Sequence, residues 1–132
     1  MASGIYSKFF ANLMNKEIDL EADTIKVALL DSNHAFNVAH ESWAEVSANE
    51  ISGAGYTADG ATLAGKAVTQ AATTKWDATN VSWSEATFSA YHAVLYAVAG
   101  LIASIDFGGE QAIADGTFAI EWDAAGIITL SE

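Results

Sequence analysis

Residues 87–130 read TFSAYHAVLYAVAGLIASIDFGGEQAIADGTFAIEWDAAGIITL, and their pattern indicates a β-rich fold. The stretch holds several apolar runs separated by glycine-bearing segments, which favour turns. Near its end Phe118, Ile120 and Trp122 alternate with small or polar residues, the period-two pattern of a half-buried strand. The stretch therefore predicts a C-terminal antiparallel meander, in which residues 127–130 run back along the strand that contains Phe118.

Other apolar segments extend this β-rich pattern along the chain. Residues 91–98 are apolar on both faces, which predicts a central strand, and Ile25, Val27 and Leu29 alternate in another strand at residues 24–30. No repeat or linker interrupts the sequence, so residues 1–132 are expected to form one domain. The predicted fold class is mainly β, an antiparallel β-sandwich or jelly-roll-like domain of about eight strands with one N-terminal α-helix. The remaining predicted strands are residues 61–70, 74–78, 81–84 and 101–107.

The N-terminal helix is predicted at residues 3–16. Ile5, Phe9 and Leu13 recur every four residues and form an apolar stripe, and Ser3 is a suitable N-cap. The stripe must be covered, either by the sheet of the same chain or by a neighbouring subunit into which the helix inserts. Its other members are Tyr6, Phe10 and Met14, and the predicted polar face consists of Ser7, Lys8, Ala11 and Asn12.

A long connection follows the strand at residues 24–30 and spans residues 31–60. Its pattern is irregular and turn-rich, and a connection of this length in a small domain usually has a use. We expect a surface excursion pinned by Trp43 and Tyr56, with a short helix around residues 42–46. Phe36 is a further apolar anchor in this polar stretch.

Composition excludes several classes of partner. The formal net charge is −12, and the five basic residues are all lysines scattered singly along the chain. Binding of phosphate backbones requires clustered cations, so neither nucleic acid nor an anionic membrane is an expected partner. The apolar runs are too short for a membrane-spanning helix, and the N-terminus lacks the pattern of a signal peptide. We therefore expect a protein made in a cytoplasm, or assembled into a larger structure there.

No motif for catalysis, cofactor binding or metal binding is found. Residues 17–23 alternate acidic and apolar side chains, but lack the glycine and distal glutamate of an EF-hand, so a solvated acidic face is favoured over a divalent-cation site. The three histidines, His34, His40 and His92, show no metal-ligand spacing and are each expected to be hydrogen-bonded or exposed. The sequence therefore predicts no enzyme, no cofactor and no metal.

The small and apolar run at residues 91–105 favours assembly. A domain of 13.8 kDa has limited material to bury both faces of such strands. Packing against further copies, as a dimer or trimer, would cover the second face, and so would a helix lying across it. A homo-oligomer is the preferred reading.

The order of the sequence blocks resembles a family of small virion proteins from tailed bacteriophages and prophages. The resemblance extends from Tyr6 to Ser131, and it implies a β-sandwich with no catalytic residues. It is carried by the N-terminal helix followed by NLMNKEIDL (12–20), TIKVALLD (24–31), VSANEISGAGY (46–56), LAGKAVTQ (63–70), YHAVLY (91–96), IDFGG (105–109) and GTFAIEWDAAGIITLS (116–131).

The function implied by the resemblance is that of a capsid decoration, or cement, protein. Such a protein binds the outside of the assembled head, with the major capsid protein and copies of itself as partners, after assembly in the host cytoplasm. The acidic charge fits an exterior position, since it would be unfavourable beside packaged DNA. A tail or fibre module remains an alternative, as does a host-glycan-binding module that stacks sugar rings on exposed Trp43, Trp76 and Tyr56. The candidate interface residues are Ile5, Phe9, Phe10, Leu13, Phe36, Trp43 and Tyr56.

Overall fold

A computed structural model describes residues 4–131 as two antiparallel sheets with one α-helix. The predicted fold class is confirmed, since 48% of the chain is strand and 11% is helix. One sheet has five strands in the order β1-β7-β6-β2-β3, and the other has three in the order β4-β5-β8. The elements are β1 (Gly4–Ile5), α1 (Ser7–Met14), β2 (Ile25–Leu30), β3 (Ala61–Thr62), β4 (Ala67–Thr69), β5 (Thr73–Asp77), β6 (Val81–Ala97), β7 (Gly100–Ile120) and β8 (Ile128–Ser131).

The larger sheet is built on one long hairpin, β6–β7. The pairing runs from Ala97 opposite Gly100 to Val81 opposite Ile120, with several register shifts. The predicted meander over residues 87–130 is therefore wrong in its pairing, because Gly108 and Gly109 lie within β7 rather than in a turn. Nothing lies within 4 Å of a Cβ added at either glycine. An open strand edge tolerates such glycines, which mark an irregular stretch of strand and do not end it.

The C-terminal strand β8 belongs to the smaller sheet. β8 pairs with β5, with Ile128 opposite Trp76, and not with the strand that contains Phe118. The turn at residues 123–126 carries the chain across to the smaller sheet. Directly after it, the Ile127 amide donates to the Trp76 carbonyl of β5 at 2.7 Å. The strand predicted at residues 61–70 is likewise two strands, β3 and β4, in different sheets. They separate around Gly65, which has a positive φ of 67°.

The helix is shorter than the predicted range of residues 3–16. Gly4 and Ile5 pair with Ser104 and Ala103 as β1, and the Tyr6 amide donates to the Ile102 carbonyl, so α1 begins only at Ser7. The proposed N-cap, Ser3, lies outside the described residues. Asn12 was placed on the polar face, but it is buried and donates from Nδ2 to the Ala99 carbonyl at 3.3 Å.

Two apolar clusters pack against opposite faces of the larger sheet. The main cluster fills the space between the sheets and includes Trp76, Trp83 and Leu95. A second cluster, which includes Leu30 and Val94, lies on the other face beneath the connection at residues 31–60. The second face of the run at residues 91–105 is therefore covered by the chain itself, so this face no longer argues for an oligomer, and the oligomeric state stays a prediction.

The connection at residues 31–60 follows the predicted course of a pinned excursion. Two short 3₁₀-helices, Trp43–Glu45 and Ser47–Asn49, occupy the region where a short helix was expected. The first begins with a capping box between Ser42 and Glu45. The Glu45 carboxylate accepts backbone N–H groups of Glu41 and Ser42, and these bonds lower its pKa.

Candidate interaction surface

The structure brings only part of the predicted interface together. Phe9, Phe10 and Leu13 of α1 line one groove against the smaller sheet, and of these Phe9 is buried and Phe10 is exposed. The other predicted interface residues do not line it: Ile5 is half-buried in β1, and Phe36, Trp43 and Tyr56 are half-buried and pack beside the clusters that flank the larger sheet.

The groove between α1 and the smaller sheet, here called the helix–sheet groove, is apolar and has a volume of about 360 Å³. Its floor is the buried Trp76, and its rim exposes side chains that would ordinarily be covered: Phe10 is 41% exposed, Val68 44% and Leu130 57%. Met14, one helical turn after Phe10, is 83% exposed. Clustered exposure of this kind is typical of a docking surface. The remaining lining residues are Phe9, Leu13, Lys16, Ile18, Asp19, Leu20, Thr74, Lys75 and Ile128.

Val68 and Leu130 are interface candidates that the sequence reasoning missed. Val68 lies on β4 and Leu130 on β8, and both strands pair with β5 at the centre of the smaller sheet. Neither residue has an informative neighbour in the sequence, and their proximity depends wholly on this pairing. The only sequence signal for the groove was the helical stripe of α1.

The acidic segment at residues 17–23 borders the same groove. Two of its carboxylates accept local backbone amides: Asp19 Oδ1 accepts those of Glu21 and Ala22, and Asp23 Oδ2 accepts that of Asp19. A third, Glu21 Oε2, accepts the amide of Val68 on β4 at 2.9 Å. The two amides that bind Asp19 lower its pKa. Between residues 4 and 131, no group of three or more His, Cys, Asp or Glu side chains is arranged to hold a metal ion.

The aromatic residues proposed for sugar stacking do not form one exposed platform. Trp76 is only 2% exposed, and its indole N–H donates to the Leu20 carbonyl at 2.9 Å. The prediction that Trp76 is exposed is therefore wrong. Trp43 stacks on Tyr96 with ring centroids 4.5 Å apart and an interplanar angle of 1°. One face of the Trp43 ring is consequently occupied within the chain.

Tyr56 belongs to a hydrogen-bonded network that holds the long connection against the sheet. Its hydroxyl donates to Glu50 Oε2 at 2.6 Å and accepts the Leu29 amide at 3.1 Å. Glu50 also accepts the Asp59 amide at 2.7 Å, and the Asp59 carbonyl accepts the Tyr96 hydroxyl at 2.5 Å. Burial raises the pKa of Tyr56, and it raises that of Tyr96 to about 12. Both phenols are therefore neutral donors that fix the connection.

Two of the histidines form a buried pair. His34, from the long connection, is 4% exposed, and its Nε2 lies 3.1 Å from Ser104 Oγ. The His92 ring of β6 packs against it edge to face, with centroids 5.0 Å apart, and His92 Nδ1 is 3.9 Å from Asp106 Oδ1. Burial lowers both histidine pKa values, that of His34 to about 4. The pair is therefore neutral at pH 7 and acts as part of the packing.

Comparisons with known proteins give no family for this chain, since no family model, no curated protein and no solved structure matches it. Among the described residues, the one α-helix is far too short to cross a membrane, and no candidate span is found.

Proposed function

We propose that this protein is a structural component of a tailed-phage virion that decorates the outside of the assembled head and binds it through the helix–sheet groove. The exposed apolar rim of that groove is the observation that supports a docking role. Exposed apolar area is unfavourable in water, at roughly 25 cal/mol per Å², so covering it contributes to binding. The resemblance to phage virion proteins supplies the expected partner, the major capsid protein.

The charge around the helix–sheet groove supports this choice of surface. The protein carries a net charge of −12, but two of its five lysines, Lys16 and Lys75, line the groove together with one carboxylate, Asp19. The lysines offset part of the negative charge here, so another acidic surface would be repelled less at this groove than at a face without lysine. A protein that binds only the assembled shell stabilises that shell by mass action, which is how a non-enzymatic cement protein works.

Stoichiometry is the first test of the proposed location. Quantitative mass spectrometry of purified virions would give the ratio of this protein to the major capsid protein. A ratio near one, or a simple fraction of one, is the expected result. A few copies per particle would instead assign the protein to the tail or a fibre, and its absence from the particle would overturn both structural roles.

A matched pair of variants tests the proposed surface. Val68 is 44% exposed at the rim of the groove, and Val38 is 51% exposed outside it. The same change, Val68→Ser or Val38→Ser, removes similar exposed apolar area from each. Binding to heads that lack the protein, followed by co-sedimentation, should weaken several-fold for Val68→Ser and stay unchanged for Val38→Ser. Equal effects of the two variants would contradict the assignment of the groove.

A further inference from the structure

The second half of the long strand β7 has an unused edge. β7 is flanked by β6 and by β1, but β1 pairs only with Ser104 and Ala103. Within the part of the chain that the structure describes, residues 109–120 therefore pair with β6 alone. An edge strand carries a row of backbone N–H and C=O groups that can pair with a further strand. Residues 117–120 of this edge also line a groove.

This β7-edge groove has a volume of about 650 Å³. Phe118 and Ile120 point inward to the core, and the half-buried Phe107, Ile113 and Trp122 leave apolar surface open. Trp122 is held as a wall of the groove, because its indole N–H donates to the Thr79 carbonyl at 3.1 Å and its amide donates to Asn80 Oδ1 at 2.9 Å. The sandwich is thus open along this edge.

A strand added beside β7 would need different side chains on its two faces. Because side chains alternate along a strand, every second residue of an added strand would point into the groove and meet apolar surface. The intervening residues would lie beside the outward positions Thr117, Ala119 and Glu121, all of which are exposed. Ala119 is small enough to permit close approach. Apolar residues are therefore favoured at the positions of the added strand that point into the groove.

The charged residues along the β7 edge determine which side chains are favoured at the outward-pointing positions of the added strand. No lysine or arginine occurs from residue 81 to the end of the sequence. Glu121 and Asp123 line the groove, and Glu110 and Asp115 are exposed farther along the edge. Lys75 does not line this groove, but its ammonium donates to the Ala124 carbonyl in the turn between Asp123 and Gly126, so it is the nearest basic group at this end of the groove. Opposite charges on neighbouring strands stabilise a pair, and like charges destabilise it.

We propose that the free edge of β7, with the groove beside it, binds an extended segment of another protein in which apolar residues alternate with lysine or arginine. Backbone hydrogen bonds to residues 116–120 provide affinity, and the apolar and acidic positions select the sequence. A second copy of this chain is a poor occupant, because pairing two β7 edges would place acid beside acid. None of its own segments carries two lysines at alternate positions either. This binding mode does not depend on the proposed head location.

Synthetic peptides test the proposal on the intact protein. The probe is a labelled ten-residue peptide that alternates valine with lysine. Its two controls are a valine–glutamate peptide and a valine–lysine peptide with alternate backbone amides N-methylated. Fluorescence anisotropy should show binding of the probe and at least about tenfold weaker binding of both controls. Hydrogen exchange should show that the probe protects the amides of residues 116–120.

Glutamine variants locate the site. Replacing both edge carboxylates, Glu110→Gln with Glu121→Gln, should weaken binding of the probe by about fivefold, since exposed charge pairs are individually modest. Glu17→Gln, at an exposed acid that does not line the β7-edge groove, should leave binding unchanged. The proposal is overturned if the probe fails to bind, if the N-methylated peptide binds as well as the probe, or if Glu17→Gln has the same effect. Protection that rises with protein concentration in the absence of peptide would assign the edge to a second copy and would also overturn it.

Discussion

Lowering the pH from 7 to 5 should destabilise this protein through His34. Burial holds the folded-state pKa of His34 at about 4, whereas an imidazole in the unfolded chain titrates near 6.5. The neighbouring His92 and His40 further disfavour the charged form, and Asp31 opposes them. Since the folded pKa is the lower one, the unfolded state takes up a proton first as the pH falls. Stability is therefore lost between pH 6.5 and 4, and the loss is complete below pH 4.

The size of the effect follows from the two pKa values. At pH 5 almost all unfolded chains carry the proton on this imidazole and few folded ones do, which corresponds to a loss of about 2 kcal/mol relative to pH 7. With a typical urea dependence for a small domain, this loss moves the unfolding midpoint by roughly 1 M urea. The carboxylates with lowered pKa values, such as Asp19 and Asp106, lose their contribution only at more acidic pH, so they do not obscure this window.

Urea unfolding followed by tryptophan fluorescence at pH 7 and pH 5 measures the effect. His34→Gln removes the titrating group and should reduce the loss between the two pH values by about 2 kcal/mol, even if the variant is less stable at both. Ser104→Ala removes the partner of His34 Nε2 but keeps the imidazole, so it should lower stability while keeping the wild-type pH dependence. An unchanged pH dependence in His34→Gln would refute the assignment of His34 as a buried neutral histidine.

Two further predictions concern the backbone and the long connection. Gly60 has φ of +91°, and a Cβ there would lie 2.2 Å from the Val27 carbonyl oxygen, so Gly60→Ala should lower the free energy of unfolding in urea by roughly 3 kcal/mol or more. Gly108 has φ of +82° and open surroundings, so Gly108→Ala should lower it by only about 1 kcal/mol. Equal losses in the two variants would contradict the steric explanation. Tyr56→Phe leaves the Leu29 amide and the Glu50 carboxylate without their shared partner, so it should lower the free energy of unfolding by about 2 kcal/mol. The Leu29 amide should then exchange its hydrogen faster than in the wild type, and retained protection of this amide would argue against the network.

The strands were predictable because their signal is local. The apolar residues Ile25, Val27 and Leu29, and likewise Phe118 and Ile120, recur at every second position, and all five are buried in the structure. In β2 the other face is buried as well, since Ala28 and Leu30 lie under the long connection. Pairing is not local, so the same patterns could not say that β8 joins β5. The glycines at 108 and 109 suggested a turn, but continued pairing with β6 carries the strand through them.

The candidate site was predictable only where it lies on one element. The stripe of α1 identified Phe9, Phe10 and Leu13, because helical spacing puts them on neighbouring surface positions. Ile5 has the same spacing, but β1 takes it out of the helix. The remaining half of the groove comes from strands distant in sequence. The His34–His92 contact was hidden for the same reason, since the long connection must fold back over β6 before the rings meet.

The two grooves lie on different elements and differ in charge. β7 and the segment that follows it line the β7-edge groove, whereas α1 and the smaller sheet line the helix–sheet groove. The charged residues that line the helix–sheet groove are Lys16, Lys75 and Asp19, whereas those that line the β7-edge groove are Glu121 and Asp123. Since one groove is of mixed charge and the other is acidic, we infer that the grooves serve different partners. Val68→Ser should then weaken only head binding, and the paired glutamine variant only peptide binding. Losses that always occur together would contradict the assignment of two separate sites.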